Sequence, residues 1–159
     1  MSIRSIRKAR GFPGDDAFLA VGGACIVVGG LVAAVTGPLQ LSHGSWAAAY
    51  LVLVGGVAQI ALGASQRALT GRETPMPVLL TELAAWNLAG ALVIGGTLLR
   101  NPVIVSGGGV ALVVALGVMA RTVRGGAGPR WALWTYRGML AVLLAGIPIG
   151  LVLAHVRAS

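Results

Sequence analysis

The chain has 159 residues, of which 57% are hydrophobic and only 10% are charged, whereas soluble domains usually carry about 25% charged residues. With a mean hydropathy of +0.88, this composition excludes an ordinary soluble domain and predicts an all-α integral membrane protein. The net charge of +8 does not indicate nucleic-acid binding, because the basic residues interrupt apolar segments instead of forming a basic domain. The single cysteine, Cys25, excludes an internal disulfide.

Five apolar segments follow a basic N-terminal segment, residues 1–16, that we expect to be cytoplasmic. Each is long enough to cross a hydrocarbon core of about 30 Å as a helix, and none alternates as a barrel strand would. The five spans form one domain, residues 17–155, and an outer tail, residues 156–159, follows it. The predicted spans are approximately 17–36, 46–64, 78–99, 103–120 and 131–153.

The positions of the basic residues predict how the chain is oriented in the plasma membrane. With the N-terminus in the cytoplasm, ten basic residues lie inside and only Arg100 and Arg157 lie outside, as the positive-inside rule requires. The C-terminus is then outside. Trp131, Trp134 and Tyr136 are expected to form an aromatic belt at the inner interface.

The first two spans resemble the third and fourth in sequence. PLQLSHG at residues 38–44 aligns with PVIVSGG at 102–108, and IVVGGLV at 26–32 aligns with LVIGGTL at 92–98. This predicts two duplicated hairpins in a parallel repeat, with the fifth span outside it. In each hairpin, Pro would end one helix and Ser would cap the next; the alternative is a chance match between glycine-rich segments.

Four polar side chains lie inside the predicted spans. Intramembrane charges are costly and usually have partners, so we expect Glu82 and Arg137, at similar depths, to form an ion pair that locks the third and fifth spans. A proton or ion pathway is the alternative. Gln59 and Asn87 lie near the midplane, where an interhelical hydrogen bond is expected.

Small residues recur at intervals of four along several spans, an arrangement that lets helix backbones approach closely. Ala85 and Ala89 form one such pair. Gly146 and Gly150 form another, and Gly29 begins a third with Ala33. These positions predict helix packing within the bundle or against other membrane proteins.

The two histidines, His43 and His155, lie at the outer ends of the second and fifth spans. Two neutral imidazoles from different helices could ligate a b-type haem, and Arg100 and Arg157 could then pair with its propionates. Histidine at a membrane boundary needs no ligand, so the main expectation is that no cofactor binds. No metal site is predicted.

By elimination, the sequence favours a non-enzymatic role. It contains no nucleophile–base pair and no phosphate-binding loop, and its loops are short. We therefore expect a small accessory, assembly or stabilising subunit of a larger membrane complex, with a basic face towards anionic lipid. The alternatives are a haem-containing electron carrier and a small transporter or channel. The preference for Arg over Lys, with abundant Ala and Gly, is typical of a bacterial protein.

Overall fold

The computed structural model describes residues 13–71, 74–124 and 128–156, and the side chains of 17–71, 74–124 and 128–146. Throughout these residues the chain forms helices and no strand, which confirms the all-α prediction. Five helices follow one another along the described residues. They are α1 (Pro13–Thr36), α2 (Gly44–Thr70), α3 (Met76–Leu98), α4 (Pro102–Thr122) and α5 (Arg130–Val156).

The helices α1 to α4 are each long and apolar enough to cross a membrane, α1 from Ala17 onward. The predicted membrane protein is therefore supported over four spans. Helix α5 does not reach the same apolar character over its described residues, so a fifth span remains a prediction. Its sequence begins RWALWTYR, and this polar first part lowers its hydropathy.

Helix α2 is longer than predicted, because it continues beyond residue 64 to Thr70. The polar residues Ser65, Gln66 and Arg67 interrupt the apolar run without ending the helix. Gly71, at a φ of 58°, ends it instead, because glycine adopts this left-handed conformation without steric cost. Hydropathy therefore marks where a span leaves apolar surroundings, and the glycine marks where the helix stops.

The middle of α2 is a π-helix, Leu51–Ala58, between the α-helical segments Gly44–Tyr50 and Gln59–Thr70. π-Helical turns are rare and are often found at functional sites. Here the segment contains two adjacent glycines, Gly55 and Gly56, and both face α1. The wider turn and the missing side chains bring the two helices close together along the first hairpin.

The bundle consists of two antiparallel hairpins and a fifth helix. Helix α1 packs mainly on α2, α3 packs on α4, and α5 packs on both α2 and α4. The core lies where α2, α3, α4 and α5 meet. Its largest completely buried apolar side chains are Trp86, Leu62, Leu69, Leu116 and Met119.

The two hairpin turns share one hydrogen-bonding pattern. In the first, the N–H groups of residues 39, 40 and 41 donate to the carbonyls of 35, 37 and 36; in the second, 99, 100 and 101 donate to 95, 97 and 96. The residues with positive φ are Gln40 (48°) and Arg100 (52°). Adding 60 to each number of the first turn gives the second.

This correspondence differs from the predicted repeat, which pairs Pro38 with Pro102, an offset of 64. Pro38 lies in the turn, whereas Pro102 begins α4. Ser106 lies inside α4 and caps nothing; Asn101 caps that helix by accepting hydrogen bonds from the N–H groups of Val103 (3.0 Å) and Ile104 (3.3 Å). The turn shared by the two hairpins also ends many helices in unrelated proteins. Its presence in both hairpins therefore does not support the predicted duplication.

Candidate functional site

A cluster of buried polar side chains lies where α2, α3, α4 and α5 meet, at the end of the bundle where α3 begins. Glu82 of α3 is its centre and is only 1% exposed. The Gln66 amide of α2 donates to one carboxylate oxygen at 3.2 Å, and the Thr122 hydroxyl of α4 donates to the other at 2.6 Å. The carboxylate thus joins three helices.

Tyr136 brings the fourth helix, α5, to the same cluster. Its hydroxyl lies beside Glu82 and Gln66 but makes no hydrogen bond of acceptable geometry. The side chain is 3% exposed, so its prediction as a residue of the aromatic belt is wrong. Trp131 and Trp134, which precede it in the same helix, are exposed as a belt requires.

The partners of Glu82 differ from the predicted one. Both hydrogen bonds come from neutral side chains, and the side chain of Arg137 is exposed. The physical reason is the helical spacing on α5: Ala132 and Tyr136, four residues apart, both face the core. Arg137 is therefore turned about 100° away from the inward-facing stripe.

Gln59 and Asn87 do not form the expected bond with each other. Gln59 is 0% exposed, and both its amide atoms lack a hydrogen-bond partner. Asn87 donates instead to the carbonyl of Leu83 in its own helix at 2.8 Å. Its oxygen lies 4.0 Å from the thiol of Cys25 on α1, which is a weak hydrogen bond between helices.

An apolar groove of about 310 Å³ runs along the outer surface between α3 and α4. Four alanines form its floor, with larger aliphatic side chains on its walls, and Glu82 lies at one end. From Glu82 to Leu92 the groove follows α3 for about 15 Å, at 1.5 Å per residue. Its alanines are Ala85, Ala89, Ala111 and Ala115, and its walls include Leu88, Leu92, Val114 and Val118.

The structure describes the side chain of His43 but not that of His155. His43 lies just before α2, half-buried, with its Nδ1 2.9 Å from the Ser42 hydroxyl. His155 lies in α5, but its side chain falls outside the described part, as does the whole of Arg157. Arg100 is exposed in the second turn. Haem ligation therefore stays a prediction.

The small-residue predictions have mixed outcomes. Gly29 packs closely on α2, where an added Cβ would lie 3.0 Å from the carbonyl oxygen of Ala48. Ala89 is buried against α4. Gly146 is exposed, and an added Cβ there would meet open space, so it makes no close contact within this chain. The surroundings of Gly150 lie outside the described residues.

Sequence reasoning found Glu82 but missed Gln66, Thr122 and Tyr136. Gln66 and Thr122 lie in the last turns of their helices, where polar residues are ordinary and give no signal. Only the folded bundle shows that these turns meet around Glu82. Comparison with known protein families, with curated proteins and with solved structures finds no match to this chain.

Proposed function

We propose that this protein is a small, non-enzymatic multi-pass subunit that stabilises, or helps to assemble, a larger complex in the plasma membrane. The groove between α3 and α4 carries the proposal. It is a surface of small side chains on two antiparallel helices, bordered by exposed aliphatic side chains. Small residues at intervals of four are typical of surfaces where membrane helices pack closely.

The proposed occupant of the groove is a transmembrane helix of a different and larger membrane protein. Leu88 on one wall is 66% exposed and Val114 on the other is 60% exposed, so the isolated chain leaves both walls uncovered. On the floor between them, Ala89 and Ala115 are buried, 1% exposed each, whereas Ala85 and Ala111 are half-buried. A helix with large apolar side chains would fill the remaining space and contact both walls.

The proposed orientation has the N-terminus inside and the C-terminus outside, with α5 as a fifth span. The basic side chains of the described residues support it. Arg67, Arg121, Arg124 and Arg130 lie at the end of the bundle where α2 and α4 stop and α3 and α5 begin, whereas Arg100 lies at the other end. A cytoplasmic face of this kind would also attract anionic lipid.

Filling the groove tests the proposal. In Ala85→Trp a bulky side chain replaces a half-buried alanine in the groove, and in Ala84→Trp the same change falls on an exposed alanine next to it. Tagged protein is purified from its own membrane in mild detergent. We expect the unaltered chain and Ala84→Trp to retain one larger membrane polypeptide in fixed ratio, and Ala85→Trp to lose at least about 90% of it, a tenfold change equivalent to ~1.4 kcal/mol.

Two results would contradict the proposal. In the first, the unaltered chain is recovered without any stoichiometric partner. In the second, both tryptophan variants retain the partner equally, which would leave the complex in place but move its contact away from the groove. Equal folding of the two variants is checked by circular dichroism and by elution volume in detergent.

A further inference from the structure

The side of α5 that faces away from the bundle carries arginine and tryptophan near the N-terminal end of the helix. Ala132 and Tyr136, 0% and 3% exposed, mark the side that faces the core. At about 100° per residue, Trp134 points in the opposite direction from these two, and it is 71% exposed. Arg130 and Arg137, both exposed, lie within about 60° of Trp134 around the helix axis. These three residues, Arg130, Trp134 and Arg137, form the arginine–tryptophan stripe.

The stripe lies at the end of the bundle that the proposed orientation places at the cytoplasmic membrane boundary. Helix α5 begins at Arg130, and Arg137 lies about 10 Å further along the axis, at 1.5 Å per residue. The Cα–Cβ bonds of a helix are tilted towards its N-terminus, and a long arginine side chain extends its charge towards the aqueous interface. In that orientation both guanidinium groups reach the level of the lipid headgroups.

The formal charges along this part of the chain are all positive. No Asp or Glu follows Glu82 in the sequence, so α4, α5 and the segment between them contain basic residues and no acidic ones. Arg121 in the last turn of α4 and Arg124 just after it are exposed at the same end of the bundle. The stripe is therefore complementary in charge to a negatively charged group outside the helix.

The side-chain types indicate which negative group fits the stripe. Arginine forms paired hydrogen bonds with phosphate oxygens, and tryptophan favours the boundary between lipid headgroups and acyl chains, where its ring is in apolar surroundings and its N–H group reaches water. A phospholipid offers a phosphate and acyl chains at this spacing along the membrane normal. The stripe is also separate from the α3–α4 groove, because no residue of α5 lines that groove.

We propose that a phospholipid with a net negative headgroup binds at the arginine–tryptophan stripe. Its phosphate would lie between the guanidinium groups of Arg130 and Arg137, and the start of its acyl chains would lie against Trp134. The inference rests on the proposed orientation, which puts the beginning of α5 at the membrane boundary, and it assigns the attraction to anionic lipid to one surface. It is independent of whether a partner helix occupies the groove.

The test compares two lipids that share the phosphate group and differ in net charge. The purified full chain in detergent is titrated with phosphatidylglycerol or with phosphatidylcholine of the same acyl chains, and the bound lipid is counted by native mass spectrometry. We expect the unaltered chain to bind phosphatidylglycerol at least about tenfold more tightly, because each arginine of the stripe favours the negative headgroup. This preference should decrease as the ionic strength is raised, since salt screens exposed charges.

Two matched double variants locate the site. Arg130→Gln combined with Arg137→Gln removes both charges of the stripe and should reduce the preference for phosphatidylglycerol to about threefold or less. Arg121→Gln combined with Arg124→Gln removes two charges at the same end of the bundle but outside the stripe, and should leave the preference nearly unchanged. Trp134→Leu keeps the charges and should weaken the binding of both lipids alike. Circular dichroism checks that all variants fold.

The inference is overturned if the unaltered chain binds the two lipids equally, a result that does not depend on whether the variants fold. It is also overturned if the two double variants lose the preference to the same extent, because the preference would then come from the whole basic end of the bundle. The lipid measurement uses the isolated chain. Loss of a co-purified partner in the groove experiment would therefore leave the lipid preference in place, and equal binding of the lipids would leave the partner in place.

Discussion

The hairpin α1–α2 and the hairpin α3–α4 use the same backbone arrangement with different side chains. Their turns share three hydrogen bonds and a residue with positive φ. Counting 60 residues from one to the other, Gly29 and Ala48 in the first correspond to Ala89 and Gly108 in the second. In each hairpin a Cβ added to the glycine would lie 3.0 Å from the carbonyl oxygen of the alanine. The glycine is on the first helix of one hairpin and on the second helix of the other, and both pairs of helices approach closely.

The polar side chains differ between the same two hairpins. Gln59 and Met119 are counterparts in this numbering, and both are 0% exposed, but only Gln59 carries a buried amide. Glu82 has Gly22 as its counterpart. The two hairpins therefore share the turn and the close glycine contact, whereas their buried polar side chains differ.

The largest effect is expected at the glycine contact of the second hairpin. In Gly108→Ala the new Cβ would lie 2.8 Å from the backbone nitrogen of Val93, and a helix backbone cannot move away cheaply. We expect a loss of about 3 kcal/mol in the free energy of unfolding, measured in mixed detergent micelles. Gly107→Ala, where a Cβ meets open space, is the control; equal effects of the two variants would contradict the close approach.

The next largest effect is expected when Gln59 is replaced by methionine, the residue type of Met119, and this change should increase the free energy of unfolding. Gln59→Met removes two buried amide atoms that have no partner and keeps a similar volume. Because an unsatisfied buried polar group costs about 1–3 kcal/mol, we expect the variant to be about 1–2 kcal/mol more stable in the same assay. A less stable variant would show that Gln59 has a partner in the folded protein, such as a bound water.

The smallest effect is expected at the second turn. Asn101→Leu introduces the residue found at the corresponding position, Leu41, and removes the cap of α4. We expect a loss of about 1 kcal/mol. Ser106→Ala, at the position that the sequence alignment predicted as the cap, should change little because Ser106 lies inside the helix. A larger effect at Ser106 than at Asn101 would restore the predicted alignment.

The sequence predicts the helices of this protein better than it predicts their contacts. Continuous apolar runs locate all five helices, because a membrane leaves a long apolar segment few alternatives. The predicted partner of Glu82, Arg137, is wrong because the depth of a residue along a helix does not determine which way its side chain points. Tyr136 is buried, whereas Arg137, the next residue, is exposed. The spacing of small residues predicts candidate contacts, but it does not distinguish Gly29 from Gly30. Gly29 faces α2, whereas a Cβ added to Gly30 would meet open space.

The mass of the native particle tests the proposed function most directly. Native mass spectrometry of the complex extracted from its own membrane gives this mass, and the chain itself contributes 16.0 kDa. We predict a particle that contains this chain and a second, larger membrane polypeptide in a fixed ratio. A particle whose mass equals one copy of the chain, or a whole-number multiple of it, would contradict the proposal that this protein is a subunit of a larger complex.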